Sequence, residues 1–447
     1  MKKFLFASLL VVSFAANAQD VKKDEIKKEV VRILDSINSI NNEKQVEKDK
    51  QIEKEKAEKI KADKEAWYNK LSLRGYVQVR YNGLFSTNDK VSCDQCDKSW
   101  GTTSTAPDAK SNNGFFIRRA RLVFSGQIHP NVYVYIQPDF ASSPGSGVNH
   151  FAQIRDAYAD ISFDKKKEFR VRLGQSKIPY GFENLQSSQN RLTLDRNDGL
   201  NSAIVNERDL GAFFYWAPAE IRERFAMLVK DGYKGSGDYG VFAFGAYNGQ
   251  TANKSETNRN LHVVTRITYP FVIGNQIIEP GLQAYTGKWA FTSELSTGVA
   301  TPGLDKQYVK DQRVGATFVL YPKPFGIQTE YNFGKGPRYD KLTNTVDVTD
   351  LEGGYVTLNY KWDINLAKHH FLYPFAKFQY YDGGKKFEKD ARSYVVRDYE
   401  LGIEWQPIKA FELVAEWVIS DRTFEDSALP NNRQQGNLLR LQAQFNF

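Results

Sequence analysis

Cysteine, methionine and histidine are scarce in this chain: two, two and five in 447 residues. Cys93 and Cys96 have the two-residue spacing of half a zinc site or a redox motif, but no second pair follows and the histidines are scattered. That leaves a disulfide in an exposed loop, a free dithiol or a metal half-site, in that order of fit, and no metal or cofactor is expected. Long apolar runs are absent as well. Beyond residue 18 no stretch reaches the length of a transmembrane helix, and the mean hydropathy is −0.54. A helical membrane protein is therefore excluded, whereas a barrel with a polar lumen and loops is not. The formal charge of +8 is spread along the chain without a basic tract, which argues against nucleic acid as a partner. No cluster of Ser, His and Asp and no paired acids at a rim point to an enzyme such as a hydrolase. His262 stands alone and reads as a polar lining residue rather than a general base.

What is present begins with Lys2 and Lys3, an apolar run from Phe4 to Ala15, and Ala16-Asn17-Ala18. This is the pattern of a secretory signal over residues 1–18, with the mature chain starting at Gln19. No cysteine follows, so no lipid anchor is expected. Residues 19–70 form a second region, rich in Lys and Glu and free of Gly and Pro. Ile26, Val30, Ile33, Ile37 and Ile40 recur at alternating spacings of four and three, a heptad seam whose β-branched residues favour a trimeric coiled coil. From Lys44 to Lys64 the seam decays into a charged helix or spacer. The segment 20–66, if fully helical, would reach ~70 Å at ~1.5 Å per residue.

From residue 71 to 447 the period changes to two. In the last ten residues Leu439, Leu441, Ala443, Phe445 and Phe447 alternate with Arg440, Gln442, Gln444 and Asn446, apolar on one face and polar on the other. The alternation recurs in sixteen segments, near 71–85, 114–128, 131–140, 151–163, 168–176, 209–217, 239–249, 259–270, 276–289, 311–321, 326–336, 351–362, 370–382, 394–406, 409–420 and 435–447. Short connections (129–131, 164–167, 323–325, 407–408) alternate with long polar ones. Together with aromatics at 14% of residues, these features predict an all-β transmembrane barrel of about sixteen antiparallel strands in outer-membrane lipid. An even count puts both barrel ends in the periplasm. Residues 218–238 read as a helical insertion, because an extra strand would break the parity.

The apolar face of each strand fixes the lumen face. Arg74 and Arg80 on the first strand, Arg119 and Arg121 on the second, and Arg170 and Arg172 on the fifth turn inward, offering guanidinium groups suited to oxyanions. Arg118 shares the lipid face with Phe116, Ala120, Leu122 and Phe124, from which its stem would snorkel to an interface. Glu330, Glu400, Glu404, Glu412 and Glu416 also turn inward and form an acidic wall opposite, setting a transverse field across the pore. Some of these charges would instead pair and stiffen the barrel. The connection 177–209, long for a loop without its own pattern, holds Lys177, Arg191, Arg196 and Arg208 and reads as a constriction loop folded into the pore.

The segments FFIRRARLVFSG, RLGQSKIPYGFENL and RDLGAFF, with Phe447, resemble the phosphate-selective porin O and P family over roughly residues 71–447. The resemblance implies a trimeric sixteen-stranded barrel with a basic, narrowed channel for anions such as phosphate, and pore-lining roles for Arg119, Arg121 and the loop near Lys177. The helical region lies outside that pattern, and the acidic wall weighs against strict phosphate selectivity. The expected function is an outer-membrane porin passing small hydrophilic solutes by diffusion, with a bias toward anions. The alternative is an envelope tether, in which the helical region grips peptidoglycan or another periplasmic partner.

Overall fold

The computed structural model describes residues 23–87, 114–142, 151–205, 207–291, 298–301, 308–364 and 370–447. The signal segment and Cys93 and Cys96 lie outside the described residues. The chain divides into two units, residues 1–70 and 71–447.

In the first unit a single helix, α1, spans Lys23–Glu65 and ends in a 3-10 turn, Trp67–Lys70. Lys, Glu and Gln are good helix formers, and neither Gly nor Pro interrupts them. Ile26, Val30, Ile33, Ile37 and Ile40 remain 42–52% exposed. The heptad row therefore has no cover within one chain.

The second unit is a closed antiparallel barrel of sixteen strands. In chain order they are β1 (Leu71–Thr87), β2 (Gly114–His129), β3 (Val132–Ser142), β4 (Phe151–Ser162), β5 (Phe169–Lys177), β6 (Arg208–Trp216), β7 (Phe242–Tyr247) and β8 (His262–Thr268, resuming as Phe271–Ile273). Then come β9 (Gln276–Ala290), β10 (Tyr308–Leu320), β11 (Phe325–Asp340), β12 (Thr345–Tyr360, resuming as Trp362–Asp363), β13 (Phe371–Gly384), β14 (Ser393–Ile408), β15 (Phe411–Glu425) and β16 (Arg433–Asn446). Short helices α2 (Phe182–Leu185) and α3 (Asp198–Asn201) lie between β5 and β6, and α4 (Ala219–Lys230) lies between β6 and β7.

Closure is made by β1 against β16, with Tyr76 opposite Asn446 and Thr87 opposite Gly436. Gly75 and Phe447 exchange backbone hydrogen bonds of 2.8 and 3.0 Å at this seam. A Cβ on Gly75 would meet the Arg121 carbonyl oxygen and the Phe447 ring, each at 2.5 Å, so only glycine lets the strands close here. The closed ladder leaves no open sheet edge among the described strands, which is the condition for crossing a bilayer without a helix.

Strand existence follows the alternation, but some ends do not. β11 and β12 run on past their apolar rows to a four-residue turn at 341–344, where the sequence suggests a long polar connection. The ladder from Lys335 opposite Asp350 to Asp340 opposite Thr345 needs only backbone pairing, so apolar alternation does not report it. Pro407 and Ile408 belong to β14, and the β14–β15 turn falls at 409–410. Residues 219–230 are helical, with Ile221, Phe225 and Leu228 on one buried face.

Connections at the end where β1 begins, called the lower end below, are mostly short, and 217–241 is the long exception there. The apolar core of this unit lies inside the barrel, because both the 178–207 loop and the 217–241 insertion fold into it. Ile178, Tyr180, Leu200, Ala203 and Ile204 pack on Phe213, Tyr215, Ala243, Tyr247, Val264 and Tyr285 of β6–β9.

Candidate functional site

The inward row of β1 holds Tyr76, Gln78, Arg80 and Asn82, all buried, with Arg74 more open at the lower end. On β2 the register slips: Gln78 pairs with Arg119 but Val79 with Ile117, leaving Arg118 as the extra residue of a β-bulge. Above the bulge Phe115 and Ile117 face outward, and below it Ala120, Leu122 and Phe124 do. The bulge re-aims one side chain, as bulges do. Arg118 therefore lies inside with Arg119 and Arg121, within Coulomb range of Asp195, Arg191 and Asp139, which corrects its assignment to the lipid face. A second slip, between Gln137 opposite Asp156 and Pro138 opposite Ile154, does the same for Arg155 on β4. Strict alternation cannot find either residue. The paired arginines of FFIRRARL are a signal that could have found Arg118, whereas Arg155 has none.

The 178–207 loop is held to much of the wall. Tyr180 Oη donates to Asn332 at 2.7 Å and the Phe182 amide to Glu330 at 2.7 Å, both on β11. The Leu194 amide reaches Glu416 on β15 (2.8 Å), and the Asp198 amide reaches Gln379 on β13 (2.9 Å). Arg313 on β10 donates to Ser202 Oγ (2.6 Å), while Gln78 on β1 donates to the Ser188 carbonyl (3.1 Å). Leu192 and Leu194 pack on Tyr373, Phe375 and Val414. Lys377 Nζ is buried between Glu183 (2.9 Å), Thr193 Oγ1 (3.3 Å) and the Asp195 carbonyl (3.1 Å), with Glu400 at 3.6 Å. Toward β2–β4 the loop presents Ser188, Arg191 and Glu207 to Arg118, Arg119, Arg121 and Arg155.

Asp195, one of four carboxylates in the loop, lies 3.0 Å from Arg440 and 3.8 Å from Arg80. Burial pushes this carboxyl up, but the guanidiniums of Arg440, Arg80, Arg118 and Arg191 outweigh it and hold it well below the usual carboxylate range.

From the lower end the 217–241 insertion covers the same half of the lumen. The buried face of α4 packs on Phe182, Ile277, Val319 and Tyr321. Tyr373 Oη donates to the Gly232 carbonyl (2.8 Å), Lys234 Nζ pairs with Glu404 (2.5 Å), and Gln186 donates to the Lys234 carbonyl (2.6 Å). Asp238 returns the segment to Arg170 (2.8 Å) and Arg222 (2.7 Å). Below the loop a cavity of about 760 Å³ remains, bounded by this insertion and by Arg74, Arg121, Tyr135, Tyr158, Arg172 and Arg208. Loop and insertion thus leave a space lined on β1 to β5 mostly by basic and tyrosine side chains, with Asp156 among them, and on β13 to β15 by Phe371, Gln406 and Glu412.

The charges do not form two facing walls of single sign. Arg121 is paired with Asp139 (2.7 Å), Arg172 with Asp160 (2.7 Å), Arg170 with Asp238, and Arg208 with Asp156 (2.9 Å). Arg196 pairs with Glu207. On the acidic side Glu416 takes Arg440 (3.1 Å), Glu404 takes Lys234, Glu400 faces Lys377, and Glu330 accepts from Asn332 and the loop backbone. Glu412 is buried beside Glu404 and lines the cavity near the insertion. The partners Asp139, Asp156, Asp160, Lys234 and Lys377 are absent from the sequence-based site, because each sits singly in an otherwise ordinary strand or loop. Of the ten cations that the sequence assigns to the lumen and its loop, four make no ion pair: Arg74, set over the Tyr135 ring; Arg119, donating to Gln78 (2.8 Å); Lys177, donating to the Leu185 and Gln186 carbonyls; and Arg191, donating to those of Thr193 and Leu194.

The family model for phosphate-selective porin O and P matches residues 101–447. No curated protein compared with the chain matches it. Among solved structures, the outer membrane channel DcaP of Acinetobacter baumannii is similar at 14% identity, with 84% of this chain and 97% of that chain covered and a TM-score of 0.51. An anion-selective porin from Comamonas acidovorans (11% identity, 84% and 99% covered) and Salmonella typhi OmpF in complex with daunomycin (14% identity, 84% and 97% covered) each align with a TM-score of 0.49. At these identities the likeness concerns the fold, and it rests on the first of the three.

Proposed function

This chain belongs to the phosphate-selective porin O and P family and is an outer-membrane channel, and we propose that it conducts small anions along the β1–β5 arc. The observation that carries this reading is the set of lumen cations without a carboxylate partner, Arg74 on β1, Arg119 on β2, Lys177 at the end of β5 and Arg191 in the loop. A paired guanidinium offers an entering anion little net charge, whereas one held only by neutral acceptors retains its field in a narrow, low-dielectric passage. Such groups replace part of an oxyanion's water shell and then release it, which is what diffusion through a selective pore requires. Inorganic phosphate fits this chemistry, as do other small oxyanions. Arg121, Arg170, Arg172 and Arg208 act mainly as struts in this reading, since each is spent on a carboxylate. In planar bilayers under a salt gradient, the wild-type reversal potential should lie on the anion-selective side. A value on the cation side would overturn the reading.

The lower end, with its short turns, faces the periplasm in this proposal, so residues 19–70 lead into the barrel from that side. The exposed row Ile26, Val30, Ile33, Ile37 and Ile40 fits a homotrimer whose three helices bury it against one another. The same helix would carry the second reading, attachment to peptidoglycan or another periplasmic partner. Removing residues 20–66 should shift the purified protein from trimer toward monomer in native gels while leaving the conductance of each pore unchanged. Intact trimers combined with loss of envelope attachment would favour the tether instead.

A further inference from the structure

Two lysines stand directly opposite each other on the outer face of the barrel. Lys288 of β9 is the ladder partner of Lys310 of β10, and both side chains are exposed. Like charges facing each other across a ladder are destabilising. Neither lysine makes an ion pair among the described residues, and the acids nearby are already engaged. Asp350 lies 3.3 Å from Lys335 Nζ, Glu352 accepts from Tyr331 Oη at 2.8 Å, and Asp382 lies 2.8 Å from Arg338. Among the described residues no carboxylate pairs with either lysine.

Just below them the outer wall is hollow. A groove of about 870 Å³ is lined by Phe244, Val263, Thr265, Ala284, Val314 and Phe333. The register explains its shape. Thr265, Ala284, Val314 and Phe333 are neighbours along one row of the sheet, so small side chains form a floor flanked by Phe244 and Phe333. Lys288 and Lys310 stand further toward the upper end, above this row. Thr286 and Gln312 line the upper part of the groove and are the outward residues next below Lys288 and Lys310, while Lys335, Arg338, Asp350, Glu352 and Asp382 line its side toward β11–β13.

We infer that this face holds a lipid whose headgroup carries phosphate, with its chains in the trough and its phosphate between Lys288 and Lys310. A lipid is favoured over free phosphate because the cation pair opens onto an apolar groove on the outside of a membrane-spanning wall, where acyl chains are at hand. The inference rests on the reading that the barrel spans the outer membrane with its upper end outward. It does not depend on which ions the lumen passes.

The full chain, purified in detergent, would be exposed to a bisphosphorylated lipid A and to the same lipid after removal of its phosphates, and bound lipid read by native mass spectrometry. The wild type should retain the phosphorylated form preferentially. Lys288→Glu with Lys310→Glu should lower that retention on the order of tenfold and abolish the preference. Ala284→Trp, which fills the trough and leaves the lysines in place, should lower retention of both forms. Equal binding of the two lipids by the wild type, or unchanged retention by the double variant, would overturn the inference. So would a fall in oligomeric mass of the double variant at constant lipid, which would make the face a contact between copies of the chain. Conductance recorded in parallel should be unchanged in both variants, and it tests the channel reading separately.

Discussion

Replacing Arg74 and Arg119 together by glutamate should move the reversal potential from the anion side to the cation side, lowering the anion-to-cation permeability ratio about tenfold or more. A tenfold change requires only about 1.4 kcal/mol. One unit charge ~8 Å from a passing ion in a medium of effective dielectric ~20 contributes about 2 kcal/mol. The double substitution changes the local charge by four units, so the effect survives considerable screening by salt. Both residues are chosen for what they do not hold. Arg119 donates to the neutral Gln78 and Arg74 lies over Tyr135, so neither change strands a buried carboxylate. Arg172→Glu is the contrasting control. It removes the partner of Asp160 and the cation 3.8 Å from the Tyr158 ring, and should impair folding rather than retune selectivity. An unchanged reversal potential in the double variant, with the barrel folded, would remove Arg74 and Arg119 from the conduction path.

The barrel itself was legible because a wall between lipid and water imposes period two on every strand. Val77 and Val79 must face lipid, so Gln78 and Arg80 must face in, and no partner residue needs to be known. The same reasoning placed Glu330, Glu400, Glu404, Glu412 and Glu416 inside. It fails where the backbone stops obeying the period. At the β2 bulge one extra residue turns Arg118 inward, and nothing in the alternation of FFIRRARL marks which arginine is the extra one. It fails again for pairing. Whether Arg121 or Arg119 is the one with an unengaged charge depends on Asp139 lying across the next strand, which is a matter of register. The loop was legible as long and patternless. Its wall partners were not, because Lys377 gives no local signal of three contacts made from one buried amine.

That amine makes the second large prediction. Lys377→Met should raise single-channel conductance several-fold and make it noisy, with little change in the heat stability of the barrel. Lys377 Nζ is the counter-charge for Glu183 in the loop and faces Glu400 in the wall, and both carboxylates are buried. Removing one partner of a buried pair costs about 3–5 kcal/mol, and Glu183 would lose its counter-charge and keep only neutral donors, Asn197 and Thr193. The barrel ladder is backbone-bonded and does not run through this side chain, so the cheapest relief is local. α2 and the segment that follows it to α3 leave the β13–β15 wall, and Glu183 regains water. That exposes Leu192 and Leu194, whose burial against Tyr373 and Phe375 is worth about 1.5–3 kcal/mol per side chain, so the open state should be populated alongside the closed one. Fluctuating conductance is the expected signature. Adding Glu183→Gln should reverse most of the effect, because a neutral amide at that site no longer needs the amine, and the two changes should be strongly non-additive. Wild-type conductance in Lys377→Met would mean that the apolar contacts and the remaining loop-to-wall hydrogen bonds hold the segment in place without the buried ion pair.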